Sequence, residues 1–186
     1  PSEQATMALT GFRSAKFGMD EEAVRAAIKA DFGLEGDAVQ VGMNTVERTQ
    51  VMTISVPEVL RDGGIAQVSY IFGYKSKALI QIGVLWAPAT DPAITEATLY
   101  ANGDVLRAYF DGAGYLPDTI SKDVVLENGL LLFRGADASG HTAILLLQGR
   151  FEESEGVRTL FPVSLTLLYA VNPDDPDILK INSGEF

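Results

Sequence analysis

The residue types that do chemistry are sparse in this chain, and their spacing narrows what they can do. There is one histidine, His141, and no cysteine. A zinc site draws several ligands from Cys and His, so a conventional His-based metal centre is not expected. Without cysteine, disulfides, thiolate metal sites and a Cys nucleophile are ruled out. His141 follows Ser139-Gly140, in what reads as the turn opening a strand. As a general base it would need an oriented nucleophile, and the chain has no Gly-x-Ser-x-Gly elbow. A solvated turn residue is the expected role. Asp174, Asp175 and Asp177 offer the oxygens that calcium prefers, but the central Gly and closing Glu of an EF-hand loop are missing. Pro173 and Pro176 point instead to a stiff, hydrated tail. Asp111-Gly112-Ala113-Gly114 has the composition of a phosphate loop, yet it follows a helix rather than opening one. No catalytic residue, metal ligand or cofactor is assigned from the sequence.

One basic island stands against an acidic background: Arg13, Lys16, Lys75 and Lys77. Lys75 and Lys77 fall at a hairpin tip beside Tyr70 and Tyr74, and these four form the candidate partner-binding set. A positive patch there would steer an acidic protein partner, and tyrosines add contact area at low rotamer cost. Solvation of an ordinary turn is the plainer account of the lysines, and Tyr70 shares a strand face with Val68 and Phe72, which would make it core.

Elsewhere the charge argues against a polyanionic partner. The 186 residues carry 14 Lys and Arg against 25 Asp and Glu, a formal net charge of -11. With no Lys/Arg run to override that field, nucleic-acid binding is not expected. The chain is 47% hydrophobic and 21% charged, which suits an ordinary globular core. No apolar run approaches the roughly 18 residues of a membrane span. The chain opens at Pro1, followed by small and polar residues 2–6. Removal of a signal peptide is the expected origin of that beginning, with trimming of a longer chain as the alternative.

The elements that must position these groups come in two similar series. Asp20 before Glu21-Glu22 reads as a helix N-cap, Val24, Ala27, Ile28 and Phe32 fall at helical spacing, and Gly33 ends the helix. Val39, Val41 and Met43, then Met52, Ile54 and Val56, alternate as half-buried strands. Val68, Tyr70 and Phe72 form the next inward row, and Ile80, Ile82, Val84 and Trp86 the last. A second helix is expected from about residue 95 to 111, weakened by Gly103 and burying Leu99, Val105, Leu106, Tyr109 and Phe110. Strands near 123–126, 130–133, 143–149 and 163–171 follow, with Val163, Leu165, Leu167 and Tyr169 inward and a loosely held acidic tail from Asn172.

Landmarks recur between the halves. Val24-Arg25-Ala26 is echoed by Leu106-Arg107-Ala108, Leu85-Trp86-Ala87 by Leu168-Tyr169-Ala170, and Asp91-Pro92 by Asp175-Pro176. The offset stays at about 81 to 84 residues, the mark of a duplicated unit. The expected fold is therefore α+β: two similar modules, residues 1–90 and 91–186, each a helix followed by an antiparallel sheet of about four strands. Joining them edge to edge into one continuous curved sheet would cover two strand edges.

Phe17-Gly18-Met19, then four residues, then Val24, resembles the opening of exported SmpA/OmlA-type bacterial domains. The tandem helix-plus-sheet form is similar to that of β-lactamase inhibitor proteins. The resemblance covers only Gly18, Met19 and Val24. The Gly-x-Pro after the helix, the lipid-bearing Cys and the inhibitors' disulfides are absent. It implies a periplasmic or secreted protein that binds another protein without catalysis. The alternative is a carrier or sensor of a small apolar ligand held between helix and sheet. An enzyme assembled from dispersed carboxylates and tyrosines is a third possibility.

Overall fold

A computed structural model describes residues 7–186; the expectation of a removed signal peptide falls on residues 1–6, outside the described residues. A short hairpin comes first, β1 (Gly11–Phe12) and β2 (Ala15–Lys16), then helix α1 (Glu21–Phe32). Four strands follow: β3 (Gln40–Asn44), β4 (Thr49–Val56), β5 (Ala66–Phe72) and β6 (Leu79–Trp86). Helix α2 (Glu96–Asp111) precedes β7 (Ser121–Leu126), β8 (Gly129–Ala136), β9 (Thr142–Ser154) and β10 (Val157–Ala170). The class is α+β. All eight longer strands join one antiparallel sheet in the order β3-β4-β5-β6-β10-β9-β8-β7. β6 and β10 meet at its centre, where Trp86 faces Leu165 and Ile82 faces Tyr169.

The helix ends follow their local chemistry. Asp20 accepts from the Ala23 amide, Gly33 closes α1 in the left-handed conformation, and Thr95 accepts from the Thr98 amide to open α2. Cross-strand partners share a sheet face, so Met52, Tyr70, Ile82, Tyr169 and Ala143 form one inward row. Both helices lie on this face. Gln50, in phase with Met52, donates its amide to Glu21 of α1, and Gly103 of α2 lies against Leu132 and Leu165. The core runs through both halves, with Trp86, Tyr70, Phe110 and Phe133 its largest fully buried side chains. Burying such a side chain contributes about 1.5–3 kcal/mol.

Several sequence expectations give way to tertiary geometry. Gly103 does not merely weaken α2. It marks the helix's closest approach to the sheet, where a Cβ would come within 2.9 Å of Leu132 Cδ1. The buried stripe is accordingly Leu99, Asn102, Gly103, Leu106 and Phe110, while Val105 and Tyr109 remain 58% and 57% exposed. Strand β3 is not half-buried: it is an edge strand exposed along its length, Val41 and Met43 included. A register shift in β6 puts Leu79 rather than Ile80 opposite Phe72 and into the core. Another at Pro162/Ser164 turns Val163 to solvent while Leu160 stays buried. The residues around 152–158 extend β9 and β10 into a long hairpin, tied to α2 by the Tyr100 hydroxyl donating to Leu160 O.

The acidic tail is held rather than loose. Asp174 pairs with Arg134 and Asp175 with Lys180, and the Leu179 amide donates to Glu47 O. Asp177 accepts from the Lys75 and Ser76 amides at the β5–β6 turn.

Candidate functional site

The four sequence candidates separate. Tyr70 lies in the core, fully buried, with its hydroxyl unpartnered among the described residues. Its strand phase with Val68 and Phe72 decides this, and it is removed from any docking face. Burial drives its phenol far above the ordinary value, so it stays protonated. Tyr74, Lys75 and Lys77 do come together at the β5–β6 turn. Lys75 and Lys77 are exposed, Tyr74 is half-buried, and Lys77 Nζ sits 5.4 Å from the Tyr74 ring centre. The turn already holds one carboxylate, supplied by the chain itself. Asp177 accepts from the Ser76 amide at 2.9 Å and the Lys75 amide at 3.1 Å, and its own carbonyl accepts from the Tyr74 amide. Gly73 makes room for it, since a Cβ there would overlap the Asp177 carboxylate.

His141 is not a solvated turn residue. Its Nδ1 lies 2.6 Å from Leu9 O and therefore donates to that carbonyl, and its ring meets Phe17 edge-on at 5.0 Å. Beside it Asp137 is buried, with Oδ1 accepting from the Ser139 and His141 amides and Oδ2 from the Leu9 amide. Together they fasten the N-terminal segment, residues 7–13, across the helix side of the sheet. No cluster of His, Asp or Glu suited to a metal ion occurs among the described residues.

That fastened segment borders a cleft. This open cleft is lined by Val105, Leu106 and Tyr109 of α2, by Met7, Leu9 and Phe12 of the N-terminal segment, and by Leu60 and Tyr169. The space measures about 430 Å³, inside the roughly 300–1,000 Å³ range of small-molecule sites. Among the described residues Arg13 is the one charged side chain lining it. Its guanidinium stacks over Phe12 and Phe32 and donates to Val59 O. Burial pushes the Tyr169 phenol far above its usual value, with Tyr109 nearby adding to the shift. The cleft therefore presents the protonated Tyr169 phenol and the Arg13 cation as its polar groups of note among the described residues.

Among the described residues neither α1 nor α2 covers the other face of the sheet. One outward row runs Ser55, Gln67, Leu85, Thr166, Leu146, Leu131, Val124 from strand to strand. The adjacent row carries Thr53, Ser69, Gly83, Leu168, Ile144 and Arg134. In these two rows the face is polar over β4–β5, where Gln40, Thr53, Ser55 and Gln67 border depressions, and largely apolar over β8–β10. Sequence reading missed the cleft because Val105 and Tyr109 were assigned to the buried stripe. The available signal was that stripe's width, since 105 and 109 lie one residue short of the true contacts at 106 and 110.

No helix among the described residues is long and apolar enough to cross a membrane. Comparison with family models, with curated proteins and with solved structures gives no match.

Proposed function

We propose that the protein is a non-catalytic binding protein of the bacterial envelope or secreted space, and that the uncovered sheet face receives a protein partner. The observation that carries this is the half-buried apolar band Leu85, Leu131, Ile144, Leu146 and Leu168, with Arg134 the one charge in those two rows of β8–β10. A contiguous apolar patch on a rigid sheet suits a partner presenting an apolar, sparsely charged surface. The exported location rests on the Gly18-Met19-Val24 resemblance. The Tyr74, Lys75, Lys77 turn serves as a secondary contact for an acidic part of the same partner.

The two halves are further read as copies of one module. The pair Trp86–Leu165 exchanges with Ile82–Tyr169 under a shift of about 83 residues centred on Val84–Leu167, as a duplicated unit joined by its last strands would require. Each helix also precedes four strands that run outward-to-centre in mirrored order.

The test compares variants in capture from envelope extracts, each checked for an intact melt. Leu146→Glu is expected to abolish capture of a partner retained by the wild type, and Lys75→Glu/Lys77→Glu to weaken it. A Leu146→Glu variant that captures the same protein as well as wild type would overturn the sheet-face reading. A second reading, carrier or sensor of a small apolar ligand, is favoured by the 430 Å³ cleft beside residues 7–13.

A further inference from the structure

The helix-side cleft differs from the open sheet face in both shape and charge. It is an open cleft between α2 and the N-terminal segment, lined by Met7, Leu9, Leu60, Leu106, Tyr109 and Tyr169. Two of its lining residues, Val105 and Tyr109, keep more than half of their surface exposed although they stand over a core. On a helix whose buried stripe is complete without them, this leaves apolar surface turned toward a vacant volume.

Charge selects the occupant. The molecule as a whole is strongly acidic, yet among the described residues the one charged side chain in the lining is a cation, Arg13. Among the described residues no carboxylate lies within ion-pair distance of its guanidinium, whereas eight other Lys, Arg or His side chains have such a partner. Arg13 is also fixed in place. It takes a left-handed backbone conformation at the β1–β2 turn and rests on Phe12 and Phe32 at 5.4 and 4.8 Å. Nη2 gives one N–H to Val59 O, and the N–H groups that remain suit a planar anion, which a carboxylate can supply. In the lining, the Tyr169 hydroxyl makes no hydrogen bond among the described residues and is kept a donor by burial. The arrangement is an apolar trough with one cationic end.

We infer that this cleft binds a small amphiphile with an apolar body and a single carboxylate, the carboxylate at Arg13 and the body along Leu106, Tyr109 and Tyr169. The inference rests on the carrier reading and is independent of the sheet-face partner. An ordinary medium-chain fatty acid has this chemistry, and so does an aryl-alkyl acid of similar length. The −11 net charge of the protein opposes approach of the anion from afar, so selectivity must come from the short-range pairing at Arg13 rather than from steering.

The probes are dodecanoate, dodecanol and dodecyltrimethylammonium, each titrated calorimetrically into the full chain at pH 8 well below micelle-forming concentrations. Dodecanoate is expected to bind at one site and raise the Tm, at least tenfold more tightly than the cationic probe. Arg13→Gln should weaken dodecanoate about tenfold, the loss of one charge-assisted pairing, and leave dodecanol unchanged. Arg13→Lys should recover part of the affinity. Val105→Trp, at an exposed lining position outside the buried stripe of α2, should exclude dodecanoate and dodecanol alike by filling the cleft. Equal affinity for all three probes, or dodecanoate binding indifferent to Arg13→Gln, would overturn the anionic assignment while leaving an apolar carrier. Absence of binding by every probe would overturn the carrier reading as well.

Discussion

Asp137→Asn is the sharpest probe of how the N-terminal segment is held over the cleft. The wild-type carboxylate is buried and divides its work: Oδ1 accepts from the Ser139 and His141 amides at 2.8 and 3.0 Å, and Oδ2 accepts from the Leu9 amide at 2.8 Å. The amide side chain is isosteric but has one acceptor oxygen. With that oxygen kept in the Oδ1 position, its NH₂ faces the Leu9 N–H, donor against donor, in a place where Leu9 is 3% exposed. Losing a hydrogen bond to a charged acceptor costs about 1.5–3 kcal/mol. For a chain of this size each kcal/mol lowers Tm by about 2–4 °C, so the expected fall is about 3–12 °C. Flipping the amide would rescue Leu9 but orphan the Ser139 and His141 amides, so neither orientation escapes a loss. Thermal melts followed by emission of Trp86, the one tryptophan, give the global term. Hydrogen exchange resolved at Leu9 gives the local one, with faster exchange over residues 7–12 and little change in β5, β6 and β10. A variant that melts with wild type and protects Leu9 equally would refute this account of the latch.

Two further outcomes follow from single contacts. Tyr100→Phe removes the 2.5 Å bond from α2 to Leu160 O and should cost about 1 kcal/mol, read as a Tm lower by roughly 2–4 °C and as faster exchange at the base of the β9–β10 hairpin. The Ser76 amide bond foremost, and then the Lys75 amide, hold the Asp177 carboxyl below its ordinary value of 3.8 despite partial desolvation. Because that value is depressed in the docked tail, docking is at full strength above pH 3.8 and weakens as pH falls through the lower, docked value. The Lys75 and Ser76 amide resonances should therefore shift together under acid, and Asp177→Asn should remove that transition. An unchanged titration in the variant would assign it to another group.

What the sequence made legible was whatever is decided within a few residues. Asp20, Gly33 and Thr95 cap their helices through contacts no more than four positions away, and the alternation in β4 and β5 survives into the inward rows. What failed depended on distant partners. A single extra residue at the Ile71/Phe72 or Pro162/Ser164 irregularity reverses the facing of residues beyond it, and nothing local announces it. Strand β3 has the alternation of a half-buried strand, but its edge position leaves it uncovered. The roles of Asp137 and His141 lie with Leu9, 128 and 132 residues away, and Asp177 acts 101 residues from Ser76. Composition marked Asp177 as one acid among several; only the fold gives it a pair of amides to accept from.

The seam between β6 and β10 also sets an order of events during synthesis. β6 is paired on one side by β5 as soon as the first half emerges, but its other edge can be satisfied only by β10, the last strand among the described residues. Through the making of α2, β7, β8 and β9, the first half carries a strand edge with its N–H and C=O groups unclaimed, in the middle of what will be the sheet. Such an edge is a template for pairing with a neighbouring chain. The nascent protein is thus most open to cross-pairing between ribosomes on one message, and the arrival of residues 165–170 opposite 81–86 closes that window.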